Sequence, residues 1–228
     1  MSVISTFSKG CKGSVALNAC PGSGEFCASS CEFNVHGYVW KPGMPRCYTD
    51  GPQKRYKNLN KKLQRHADDF TEFLYGILSE MRYISCSPWL RFSSFGSFPG
   101  PSRITPHQLD LLKKIQKKIQ PMIEKNRVHF PVETEIKYNF YKSLGFPVRL
   151  SLTSPESKIS KGKRQSIVVG SLRDKMPVRR NLARAYAKKL RSQGIKAGLC
   201  PAVGAPSKCG SCKACATPLE VVVYPVHV

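Results

Sequence analysis

Residues 105–152 read TPHQLDLLKKIQKKIQPMIEKNRVHFPVETEIKYNFYKSLGFPVRLSL, and the punctuation of this stretch decides the fold class. Thr105 is a good N-cap, and Pro106 suits the first helical position, where a missing N–H costs nothing. Leu109, Leu112, Ile115 and Ile119 follow at helical spacing and predict a buried face. Val128-His-Phe-Pro-Val132 reads as a strand despite its proline. Glu135 to Leu144 reads as a short helix stopped by Gly145, and Val148-Arg-Leu-Ser-Leu152 as another strand. Helix and strand alternate, which predicts parallel βαβ units.

The same alternation extends outward. Upstream, Ser14 to Ala19 reads as a strand running into a cysteine-bearing loop. Pro52 to Arg82 carries Tyr56, Leu59, Leu63, Phe70, Phe73, Leu74, Ile77, Leu78 and Met81 at helical spacing, predicting one long amphipathic helix. Trp89 to Phe95 reads as a strand ending at Gly96, before a turn over Pro99 to Ser102. Downstream, 154–165 is a polar, basic loop and Ser166 to Val169 a strand. Pro177 to Ser192 is a strongly basic helix closed by Gly194. Ile195 to Leu199 leads into a cysteine cluster, and Leu219 to Tyr224 is a last strand.

Six or seven strands suit an open or partial parallel α/β barrel with Cys-rich, metal-binding N- and C-terminal segments. The expected organisation is a single domain over 1–228, with a Cys-rich segment 1–52, an α/β core 53–199 and a Cys-rich segment 200–228. Sites in such folds collect at the carboxyl ends of strands. Both cysteine clusters follow predicted strands, so both are expected at one end of the barrel.

Hydrophobic residues make up 41% of the chain, enough for a sizeable core. No run approaches the ~18 apolar residues that cross a bilayer, and the first residues lack a basic region followed by an apolar stretch. A soluble, cytoplasmic protein without a membrane partner is expected, in a host cytoplasm if the gene is a phage's. Lys and Arg number 37 against 14 Asp and Glu, a formal charge of +23. Such an excess draws polyanions, and nucleic acid is the expected partner. Arg180, Arg184, Lys188 and Arg191 fall near one helix face. With Lys158, Lys161, Lys163 and Arg164 in the preceding loop they form the candidate phosphate-contacting surface. The plainer alternative is a solvated face.

Ten cysteines gather at the two ends, with only Cys86 between. In a reducing compartment this favours metal over disulfides. The stronger motif is Cys200-x8-Cys209-x2-Cys212-x2-Cys215, with Gly210 letting the backbone fold tightly around an ion or cluster. Four such sulfurs suit a cubane 4Fe–4S cluster or a tetrahedral zinc. The tight triplet favours the cluster, and zinc is the alternative. The second motif is Cys20, Cys27 and Cys31, with Cys47 or Cys11 as a fourth ligand, so one or two clusters are expected. His227 is a further candidate ligand. Of Cys11, Cys47 and Cys86, at least one is expected to be an unliganded thiol.

A three-cysteine loop after the first strand of a partial barrel resembles radical S-adenosylmethionine enzymes. Their spacing is C-x3-C-x2-C, against x6 then x3 here. The resemblance implies S-adenosylmethionine at an open iron; closure by Cys47 implies a structural cluster or zinc instead. The chain also resembles the small Cys-rich "gene product 88"-like proteins of phages and mobile elements. The likeness lies in Cys20-Pro21 with Cys27 and Cys31, Arg91-Phe92 before Gly96-x-Phe98, and Cys200-Pro201 with Cys209-Gly-x-Cys212-x-x-Cys215. A terminal Tyr224-Pro-x-His227 completes it. Ser97 stands where that family carries Asp, and Glu32 where it carries an aromatic. This resemblance implies a phage or plasmid context rather than a reaction.

The functional expectation is an iron–sulfur protein, an enzyme of radical type acting on nucleic acid or nucleotides. The alternative is a zinc-stapled, basic nucleic-acid-binding protein without catalysis. A phosphate-binding P-loop, a G-x-G-x-x-G fingerprint, a nucleophile elbow and H-E-x-x-H are all missing. Glu133 and Glu135 read as the start of a helix rather than as an acid–base pair.

Overall fold

The computed structural model describes residues 14–17, 70–86, 89–92, 98–152, 157–171, 174–200 and 214–225. They form seven strands: β1 (Ser14–Leu17), β2 (Trp89–Phe92), β3 (Val128–Val132), β4 (Val148–Leu152), β5 (Gln165–Val169), β6 (Ala197–Leu199) and β7 (Val221–Pro225). The helices are α1 (Phe70–Ser79), α2 (Met81–Cys86), α3 (Pro106–Glu124), α4 (Glu135–Ser143) and α5 (Met176–Ser192), with a 3-10 turn at Pro101–Arg103. All strand pairs are parallel, in the order β1-β2-β3-β4-β5-β7-β6, and the sheet curls into an open half-barrel. The α/β partial-barrel expectation holds. No helix among the described residues is long and apolar enough to cross a membrane.

Local signals place the helices as expected. The Thr105 side chain accepts from the Gln108 N–H at 3.2 Å and Gln108 accepts from the Thr105 N–H at 3.0 Å, a reciprocal capping box. Gly145 ends α4 with φ +85°, a conformation a Cβ would oppose, and that Cβ would also meet the Gln116 amide at 2.9 Å. Gly194 closes α5 at φ +77°.

Period two along each strand sorts side chains onto two faces. On the outer face Leu90, Phe92, Val128, Phe130, Val132, Val148 and Leu150 bury against α1, α3 and α4. Phe130 sits at the centre, stacked on Phe92 at 4.5 Å and edge-on to Phe98 at 5.0 Å and Phe146 at 5.2 Å. The Tyr141 hydroxyl donates to the Pro99 carbonyl at 2.8 Å, so its burial leaves no polar atom stranded. Ile167, Val169, Val221 and Val223 continue this face and pack under Ala183, Ala187 and Leu190 of α5.

Differences from the sequence reading are local. The helix expected over Pro52 to Arg82 breaks at Glu80 into α1 and α2, and 52–69 lies outside the described residues. In α3 the buried stripe is Leu111, Leu112, Ile115, Ile119 and Met122, with Leu109 at its margin. Leu111 stands four residues before Ile115, which centres the stripe one position later than expected. β5 begins at Gln165 rather than Ser166, because Gln165 already pairs with Leu150 of β4 and Val221 of β7, while its buried side-chain amide bonds both N–H and C=O of Ser160 and ties down the loop before it.

The order of strands has a consequence for the last connection. From β1 to β5 each step moves one place across the sheet, and β6 lands one place beyond a gap. β7 then steps back into that gap. A right-handed crossover that reverses direction must lie on the opposite, inner face. The described part of this crossover, residues 214–219, does pack there: a Cβ added at Gly198 would stand 2.6 Å from Leu219. Phe130→Ala is expected to lower the unfolding free energy by about 3–5 kcal/mol in urea titrations. Ile136→Ala, at a 68% exposed position, should stay within about 0.5 kcal/mol of wild type.

Candidate metal centre

The inner face belongs to the opposite strand phase, and it is polar. Parallel strands buried on both faces ordinarily run as continuous apolar stretches. Here Arg91 in β2, His129 in β3, Arg149 in β4, Ser166 in β5 and Tyr224 in β7 interrupt them. Register places Arg91 beside His129, and Val168 beside Tyr224.

Arg149 is fully buried. Its Nε donates to the Cys215 carbonyl at 3.1 Å and its Nη1 to the Gln165 carbonyl at 2.8 Å. Its Nη2 donates to the carbonyls of Thr217 and Leu219, both at 3.0 Å. Three of these acceptors lie on the crossover, so a single guanidinium pins the cysteine segment to the sheet. The geometry uses the planar fork that lysine lacks.

His129 adds a second tether, its Nδ1 lying 3.2 Å from the same Cys215 carbonyl. A carbonyl only accepts, so Nδ1 carries the proton. Burial, with Arg91 and Arg149 adding repulsion, holds its pKa well below the ordinary histidine value. His129 is therefore a neutral donor at physiological pH.

These tethers carry Cys215 to Cys200, which follows β6 at its carboxyl end and is itself buried. The two side chains share a hydrogen bond, and the Cys215 sulfur lies 2.7 Å from the Tyr224 hydroxyl. The bond from Cys200 pulls the Cys215 thiol from 9.0 down to about 6, against the cost of burial and with help from Tyr224, Arg91 and Arg149. Burial and the neighbouring Cys215 push Tyr224 well above its ordinary value, so it keeps its proton and donates to the sulfur. The lowered thiol favours the thiolate, the form that binds metal.

Two of the four sulfurs of the C-terminal motif therefore meet at one point. Cys209, Cys212 and His227 lie outside the described residues, as do Cys11, Cys20, Cys27, Cys31 and Cys47. Among the described residues no three metal-ligating side chains gather. The parallel sheet puts the ends of β1, at Leu17, and of β6, at Leu199, at the same carboxyl end but on opposite edges. Arg149 and His129 entered the sequence reading only as letters of predicted strands, and Arg91 and Tyr224 only as motif letters, none of the four as a site residue. Their signal was an ionisable or hydroxyl side chain at the second phase of a short parallel strand.

The basic surface divides. Lys161, Arg184, Lys188 and Arg191 are exposed, while Arg180 is half-buried. Lys163 pairs with Glu135 at 2.8 Å, and the Arg164 N–H donates to the Tyr138 hydroxyl at 3.2 Å. The loop holding Lys161 precedes β5 and shares the amino end of the sheet with the last turn of α5. Arg180 is about 16 Å further along α5 from Arg191, at 1.5 Å per residue. Glu133 and Glu135 flank the N-cap Thr134, and Glu133 pairs with Lys137 at 2.7 Å. His107 is exposed and bonded to the Tyr75 hydroxyl at 2.9 Å.

Arg149→Met strands three crossover carbonyls and is expected to cost at least about 3 kcal/mol in chemical denaturation; Arg149→Lys should not restore it. The Cys215 thiol is more acidic folded than unfolded, so its stabilisation is complete above the ordinary thiol value and vanishes as pH falls through about 6. Metal-free protein should gain stability between about pH 6 and pH 9, a slope that Cys215→Ser flattens. No protein-family model, curated protein or solved structure matches the chain, and the reading of this centre rests on its own chemistry.

Proposed function

We propose that the chain binds an iron–sulfur cluster through Cys200, Cys209, Cys212 and Cys215 at the carboxyl edge of the half-barrel, and that it acts on nucleic acid or nucleotides. The meeting of Cys200 with an already acidic Cys215, fifteen positions apart in sequence, carries this reading. Such a preformed pair of soft donors is what a thiolate-bound centre needs. The C-x2-C-x2-C run supplies the remaining sulfurs at cluster-like spacing. When bound, the cluster supplies one-electron chemistry. The residues of the chain hold the loop (Arg149, His129) and donate to sulfur (Tyr224).

The half-barrel, and the shared carboxyl end of β1 and β6, support the radical-type reading. In it Cys20, Cys27 and Cys31 hold a second cluster open to S-adenosylmethionine. The likeness to Cys-rich phage and mobile-element proteins fits such a role. The charge of +23 supports a polyanionic substrate, met by Lys161, Arg184, Lys188 and Arg191.

Protein purified without oxygen is expected to be brown and to contain iron and acid-labile sulfide, both reduced in Cys200→Ser and Cys215→Ser. Added S-adenosylmethionine should perturb the spectrum. Colourless protein with stoichiometric zinc and no sulfide would replace this reading by the zinc-stapled binder, and protein with neither metal would sink both. Binding to nucleic acid should weaken steeply with salt.

A further inference from the structure

We propose that Arg91 is the counter-ion and hydrogen-bond donor of the thiolate metal centre, a role that rests on the metal-binding reading above. Leu90 and Phe92 enter the outer core, so Arg91 between them belongs to the inner face with His129, its register partner. His129 in turn holds the Cys215 carbonyl. Arg91 is close enough to act electrostatically on both His129 and the Cys215 sulfur.

The two inner-face guanidiniums are used differently. Arg149 spends Nε, Nη1 and Nη2 on backbone carbonyls. The Nε of Arg91 is buried and has no hydrogen-bond partner among the described residues. A buried charged donor left unmade is costly, and such an exception needs an acceptor to explain it. Among the described residues no carboxylate figures in the groups acting on His129 or Cys215; the charges named there are Arg91, Arg149 and the thiol itself.

Charge supplies the acceptor. Four thiolates around a divalent ion, or around a cubane core of equal charge, form a dianion. Two guanidiniums are the matching charge, and a dianion buried without them would be strongly disfavoured. Arg149 gives half of that charge while fixing the loop. Arg91 gives the other half with a free N–H to point at sulfur.

The test uses Co2+ as a probe, because its thiolate charge-transfer absorption reports binding whatever the native metal. Affinity is measured in the full-length, metal-free protein by competition with a chelator. Arg91→Gln is expected to weaken Co2+ binding about 10- to 100-fold, the usual effect of losing a partner of the ligands. Arg91→Lys, which keeps the charge, should recover most of the loss, and the exposed Lys117→Gln should match wild type. Metal-free Arg91→Gln should melt as wild type does, because the Nε bond forms only with metal present.

Unchanged affinity in Arg91→Gln would overturn the proposal. So would a lysine variant no better than glutamine, or a metal-free Arg91→Gln that fails to fold, which would make Arg91 structural. If wild type shows no cobalt–thiolate band, the metal-centre reading itself fails and this role falls with it.

Discussion

Arg149 bonds four backbone carbonyls from a position with no solvent access, and the candidate centre depends on that arrangement. Residues 214–219 make no strand or helix, and the carbonyls of Cys215, Thr217 and Leu219 turn to Arg149. Without a strong donor on the inner face this crossover would carry buried, unsatisfied acceptors. The guanidinium satisfies three of them at once and also bonds Gln165 in β5. It therefore fixes the position of Cys215 relative to the sheet.

The need for such a clamp follows from topology. The five steps that carry the chain from β1 to β6 keep the helical connections together on the outer face, where the aromatic cluster around Phe130 forms. The single backward step, from β6 to β7, sends the remaining connection inside. That reversal is a switch point of the kind where open α/β sheets place their ligands. It delivers Cys215 to the carboxyl end of β6, where Cys200 already stands. The sulfur pair, its tyrosine donor and two guanidiniums then share one partly dry region, and burial strengthens each electrostatic contact there.

Much of this was readable from the residues alone. Thr105-Pro106 announced α3, Gly145 and Gly194 announced helix ends, and the short β-branched runs announced strands. Each is a local preference that the fold agrees with. The cysteine spacing is a local pattern too, and two of its members, Cys200 and Cys215, do come together in the fold. The supporting residues were not legible. Arg149 in Val148-Arg-Leu and His129 in Val128-His-Phe look like solvent-facing positions of a one-sided strand. Their burial follows only from the crossover lying on the inner face, a long-range consequence of the strand order. The charge pattern gave the basic residues but not their neighbours: Lys163 pairs with Glu135 and the Arg164 backbone bonds Tyr138, contacts set by tertiary packing.

The most direct measurement of the central claim is X-ray absorption at the metal edge of protein purified without oxygen, beside the Cys215→Ser variant. The account predicts a first shell of sulfur at about 2.3 Å, with one protein sulfur fewer, or the metal lost, in the variant. A shell of nitrogen and oxygen alone, or one that Cys215→Ser leaves unchanged, would contradict it.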